Sequence, residues 1–218
     1  MISEILFLEY LSYLLDGDKK KCTAIVAHLM EEGTDLKVIY KDLFQRSLYQ
    51  VGKMWENNRI CVATEHVATS ITECLMNYVS VPPDVTEQKK NKVVITCAPK
   101  EFHQVGAKMV ANIFEHNGWD TFFVGANTPT TELLKLLDEK KPHLLAVSVT
   151  FYLNVLKLLE LISTVRDNNP KLPIIVGGQA LAKEKSEILN KFKEVTYICS
   201  LKDLENFTVN FNSVTNRQ

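Results

Sequence analysis

Apolar positions recur at helical spacing up to about residue 80 and then give way to short continuous apolar runs. In residues 2–15, Ile5, Leu8, Leu11 and Leu15 form one stripe of a helix. Asp16-Gly17-Asp18 supplies a stop and a new N-cap. A second helix follows with Ile25, Leu29 and Met30 inward, closing at Gly33. Thr34 or Asp35 caps a third, which carries Val38, Leu43 and Leu48 toward Trp55. Glu56-Asn57-Asn58-Arg59 reads as a turn, and a fourth helix runs from about Val62 to Tyr78. Helices with such short connections predict an all-α four-helix bundle over residues 1–82.

Residues 81–92, VPPDVTEQKKNK, have no packable face, which places a connector at 83–92. Beyond it, strands are predicted at 93–98, 119–124, 144–150, 174–176 and 195–199. Helices are predicted between them at 103–117, 130–140, 152–166 and 180–192, with a short one at 201–207. Continuous apolar strands alternating with helices predict a parallel sheet covered on both faces. Residues 93–207 are thus expected to form an α/β, flavodoxin-like (Rossmann-like) domain with a five-stranded parallel sheet, and 208–218 a frayed polar tail. In such sheets ligands bind beyond the C-terminal strand ends, so chemistry is expected in those loops.

Charge changes this picture little but narrows it. Lys plus Arg number 25 against 26 Asp plus Glu, a formal charge of −1. No dense basic stripe exists; Lys19–Lys21 and Lys89–Lys92 are short runs in expected loops. Direct nucleic-acid binding is therefore not expected. The five cysteines, Cys22, Cys61, Cys74, Cys97 and Cys199, are scattered without a Cys-x-x-Cys, which argues against a disulfide framework or zinc site and fits a reducing cytoplasm. Glu4 and Glu9 interrupt the apolar N-terminus, so it does not read as a signal peptide, and no membrane span is expected.

The expected strand ends carry a set of residues. After the first comes Glu101-x-His103-x-x-Gly106; no Gly-x-Gly-x-x-Gly or phosphate-binding loop is present. A loop imidazole can move protons or ligate a metal, and a nearby carboxylate would fix its tautomer. The third strand ends in Ser148-x-Thr150 and the fourth in Gly177-Gly178. Together with the turn Gly125-x-x-x-Pro129, this set resembles the cobalamin-binding domain family over residues 92 to about 207. The resemblance implies that His103 is the lower axial ligand of cobalt, with the cofactor's own base displaced. It implies that Glu101 partners His103, with Ser148 in the same network, and that Gly106, Thr150, Gly177 and Gly178 line the slot for the displaced nucleotide tail. Met109, Ile113 and Trp119 read as core, and His28, His116 and His143 as structural.

Trp55 is followed ten residues later by Glu65-His66. This spacing resembles the cap of the CarH-like photoreceptor regulators, in which a helical bundle covers the upper corrin face. The resemblance implies that Trp55, Val62, Glu65 and His66 lie by an upper 5′-deoxyadenosyl group. The chain departs from that branch at two points. The position after the cap Trp, a His there, is Glu56 here, so His66 or water takes the role or no second His ligand forms. The expected bundle also starts at once, with no helix-turn-helix DNA-binding domain before it. The expectation is therefore a non-enzymatic sensor binding adenosylcobalamin, light-responsive or not, that signals through a protein partner or self-association. The alternative is a corrinoid carrier subunit of a methyltransferase, with methylcobalamin and a Glu101-His103-Ser148 proton relay. A haem or other tetrapyrrole sensor is third.

Overall fold

The computed structural model describes residues 2–79, 91–181 and 186–215 and divides into two compact units, Met1–Val81 and Pro82–Gln218. Most of the expected connector, residues 83–90, lies outside the described residues.

The first unit is helical. Ser3 Oγ accepts from Leu6 N to start α1 (Glu4–Leu15), and Asp18 does the same for α2 (Lys19–Glu31) through Lys21 N. Gly17 and Gly33, at the ends of these helices, adopt positive φ. Asp35 caps the third helix of the bundle, which is not regular. It opens as α3 (Leu36–Val38), widens into a π-helical stretch (Ile39–Gln45) and continues as α4 (Arg46–Glu56). The widened turns bury Ile39, Tyr40, Leu43 and Phe44 together, a broader face than regular helical spacing implies, while Val38 and Leu48 stay half-buried. The fourth helix is α5 (Val62–Val79).

The inward stripe of α1 differs from expectation. Phe7, Tyr10 and Leu14 are buried, whereas Ile5 is 81% exposed and Leu8 is exposed too. The segment is apolar nearly all round, so periodicity did not choose a face; aromatic bulk does. Phe7 and Tyr10 bury more area than the aliphatic stripe would. Arg46 then lies over the Phe7 ring, 3.6 Å from its centroid, and ion-pairs with Glu4.

The second unit is a five-stranded parallel sheet in the order β2-β1-β3-β4-β5. Its strands are β1 (Lys92–Cys97), β2 (Asp120–Gly125), β3 (Leu144–Ser148), β4 (Ile174–Gly177) and β5 (Val195–Tyr197). Alternation sends Val94, Leu145, Val147 and Val176 to one face, under α7 (Thr130–Lys140) and α8 (Val155–Asn168). It sends Val93, Ile95, Cys97 and Ala146 to the other, under α6 (Val105–His116) and α9 (Leu201–Thr215). Both faces are covered, as the apolar runs require.

Several boundaries move; β3 and β5 stop at Ser148 and Tyr197, two residues short of expectation. Lys92, expected in the connector, opens β1, and Asn91 is buried with its carbonyl accepting from Asp120 N. A 3-10 turn, Tyr152–Asn154, precedes α8 where a helix start was expected. The expected helix 180–192 is replaced by 3-10 turns at Gln179–Leu181 and Ser186–Leu189, with 182–185 outside the described residues. Among the described residues there, Ala180, Leu181 and Leu189 are buried. Finally, α9 continues through Thr215 instead of fraying after 207. Phe207 packs on Phe211, whose ring centroid lies 5.1 Å from that of buried Trp119. His143 is structural, its Nδ1 accepting from Lys92 N at the start of β1.

Candidate functional site

Strand register brings the C-terminal ends of three neighbouring strands level: Cys97 pairs with Ser148, and Ser148 with Gly177. The order β2-β1-β3 reverses direction between β1 and β3, which is where doubly wound sheets open a crevice. The loop after β1 leaves through Ala98, whose N–H still donates to Ser148 O at 2.8 Å. Lys100 takes φ +65°, and the chain folds back so that Glu101 N donates to Ala98 O.

This places Glu101 inside the protein, with no exposed surface. Its Oε1 accepts from His103 N at 3.0 Å and from His103 Nδ1. Its Oε2 accepts from Thr150 N at 3.0 Å, Phe151 N at 2.8 Å and Asn154 Nδ2 at 3.1 Å. Burial opposes the charge, but the hydrogen bonds from His103, Phe151 and Asn154 outweigh it and bring the carboxyl down from 4.5 to about 2. The carboxylate therefore rivets the loop after β1 to the loop after β3. Beneath it the Cys97 thiol, pushed up to about 12 by burial and then by the Glu101 charge, stays neutral and donates to His103 O at 3.7 Å. Gln104 and the loop after β2 complete the frame: Ala126 N donates to Gln104 Oε1 and Asn127 N to Glu101 O.

The His103 side chain is 54% exposed, and Phe151 stacks along it with ring centroids 6.4 Å apart. Donation from Nδ1 to a carboxylate leaves the lone pair on Nε2, the tautomer that ligates a metal. Among the described residues no three His, Cys, Asp or Glu side chains converge to hold an ion. A single oriented imidazole suits a metal that brings its equatorial ligands with it, as a corrin or porphyrin does. The donor set thus fits a cobalt corrinoid.

The other predicted residues fall into place unevenly. A Cβ on Gly106 would find Ser148 Oγ at 4.0 Å and nothing nearer, so that side of α6 is open. Gly178 has φ +113°, and a Cβ there would stand 2.0 Å from Val149 O; glycine is required by the strand crossing itself. Gly177 packs close to the backbone after β5, and a Cβ there would lie 3.2 Å from Ile198 O. Thr150 serves through its backbone N–H. Ser148 is half-buried but is not a donor to Glu101; Asn154, which spacing did not single out, holds that place. The 3-10 turn carries Asn154 back over the loop, so that its amide reaches Oε2.

On the helical unit, Trp55 ends α4 and is 42% exposed, and Val62 is exposed at the start of α5. Glu65 is half-buried, its Oε1 accepting from Thr69 Oγ1 at 2.9 Å and its Oε2 lying 3.7 Å from Nε2 of exposed His66. Among the described residues no helix is long and apolar enough to cross a membrane.

The chain's resemblances agree with this geometry. The B12 binding domain profile matches residues 91–201, and a second profile, also described as B12 binding domain, matches residues 6–80. The chain is 25% identical over 134 residues to the HTH-type transcriptional repressor CarH of Myxococcus xanthus, covering 61% of this chain and 44% of that protein. It is 23% identical over 137 residues to the methanol–corrinoid protein of Methanosarcina barkeri, covering 63% of this chain and 51% of that protein. The chain thus spans about half the length of these curated relatives. Among solved structures, the Methanosarcina barkeri monomethylamine corrinoid protein superposes with a TM-score of 0.79 at 13% identity, over 96% of this chain and 100% of that one.

Proposed function

The chain belongs to the B12 binding domain family, and from that footing we propose that it is an adenosylcobalamin sensor that signals through a protein partner or self-association. Cobalamin binding follows from the family. The finer reading assigns roles to particular residues. His103 Nε2 is the lower axial ligand, with the cofactor's own base displaced. Glu101 fixes the imidazole's tautomer and aim, and Cys97 and Gln104 hold the loop that carries both. Gly106, Ser148, Thr150, Gly177 and Gly178 border the groove for the displaced nucleotide tail. Trp55, Val62, Glu65 and His66 serve the upper ligand. When bound, the cofactor would supply a labile cobalt–carbon bond, and these residues would hold it and orient the imidazole. The haem alternative has no support from the family.

The observation that carries the sensor reading is Trp55, a large indole left exposed at a helix end. A bundle built only for its own stability would bury it. A ligand shifts a partner interface only through its different affinity for the two states, so the upper ligand must be felt by the helical unit.

One residue favours the carrier alternative, with methylcobalamin: Glu56 stands where light-responsive regulators have His. Reconstitution with adenosylcobalamin, followed by absorbance and molecular size in the dark and after illumination, separates the two. A sensor changes size or partner binding when the adenosyl group is lost, and Trp55→Ala weakens adenosylcobalamin about tenfold while sparing methylcobalamin. Equal losses for both cofactors and an unchanged size would overturn the sensor reading.

A further inference from the structure

Asn154 closes the 3-10 turn Tyr152–Asn154 and leads into α8 (Val155–Asn168) in helical conformation (φ −86°, ψ −3°), so no capping duty falls on its side chain. It makes no side-chain cap bond. Its Nδ2 donates to Glu101 Oε2 at 3.1 Å and to Lys100 O at 3.3 Å. The first contact holds the carboxylate that receives His103 Nδ1; the second holds the left-handed residue immediately before it. Asn154 is itself fixed by the turn, its backbone N–H donating to Phe151 O at 2.9 Å. Phe151 in turn gives its N–H to the same carboxylate and lays its ring along the imidazole.

We propose that Asn154 is a positioning residue for the axial ligand: through Glu101 and Lys100 it sets the Nδ1–H tautomer and the aim of His103. Of the donors to Oε2 it is the only side chain, so it is the one that sequence can tune. Lying within a continuous helical run, it has no cap to make, and its amide serves the loop after β1. The inference rests on the assignment of His103 as the cobalt ligand, but its primary test does not require the cofactor.

Asn154→Leu removes the donor at similar size, and Asn154→Asp replaces it with an acceptor facing a carboxylate. The tautomer of His103 is read in the apo-protein by nitrogen-15 NMR of the imidazole, above the pH at which the ring titrates. Thermal unfolding and cobalamin titration accompany it. The wild type is expected to carry its proton on Nδ1. Both variants are expected to shift toward the Nε2–H tautomer and to bind cobalamin about tenfold more weakly. The tautomer shift is read on the folded signals, so a lower melting temperature does not mimic it. Variants that keep the wild-type tautomer would overturn the inference, as would a wild type already protonated on Nε2. A wild type with the Nδ1–H tautomer that fails to bind cobalamin would overturn the cobalt assignment while leaving the positioning of His103 by Asn154 intact.

Discussion

At the scale of single residues, two glycines of the site stand in opposite surroundings. Gly178 cannot bear a Cβ, which would meet Val149 O at 2.0 Å, so Gly178→Ala is expected to cost about 3 kcal/mol or more. Gly106 sits in the first turn of α6 with open space beside it. Gly106→Ala is expected to leave the apo-protein as stable or up to about 1 kcal/mol more so, yet to weaken cobalamin binding at least about tenfold. Melting curves and cofactor titration of the two variants check the contrast. Glu101 makes a prediction in acid. Its folded pKa of about 2 lies below the ordinary 4.5, so its contribution to stability is complete above the ordinary value and is lost as pH falls toward 2. That contribution is about 3 kcal/mol, and urea titrations of the apo-protein over this range should show a flatter acid limb for Glu101→Gln. The motif residues Glu101, His103 and Gly178 were legible in the sequence because each carries a local chemical signature. Asn154 was not, because its bond to Glu101 spans 53 positions and exists only once β1 and β3 lie side by side.

At the scale of elements, β-branched runs announced the strands and helical spacing most helices, with acidic caps only at Asp18 and Asp35, and the failures have physical causes. The α1 sequence is apolar on nearly every side, so its buried face was chosen by partners, not by period. The π-helical stretch Ile39–Gln45 has no sequence mark of its own. The last helix was underestimated because its outer half is polar, while its inner side places Phe211 on Trp119. Truncation after residue 207 is therefore expected to destabilise the second unit by about 2 kcal/mol or more, measurable as a lower melting temperature. Arg166 makes the complementary case at the opposite end of the sheet. Its guanidinium donates to the carbonyls of Leu172, Lys193 and Glu194, tying α8 to the entries of β4 and β5. Arg166→Ala is expected to cost about 2 kcal/mol and to raise hydrogen exchange first in β5, the edge strand.

For the whole molecule, the doubly wound order, the buried Glu101 and the half-exposed His103 describe one cofactor unit, and the helical unit presents Trp55 as a feature of its own. By the proposal above, His103 replaces the cofactor's own base on cobalt. Electron paramagnetic resonance of the cobalt(II) form, bound to protein labelled with nitrogen-15 histidine, tests it most directly. Labelling is expected to change the axial-nitrogen splitting from a triplet to a doublet, and His103→Ala to abolish the change. A triplet that persists in the labelled wild type, the signature of the cofactor's own base, would contradict it.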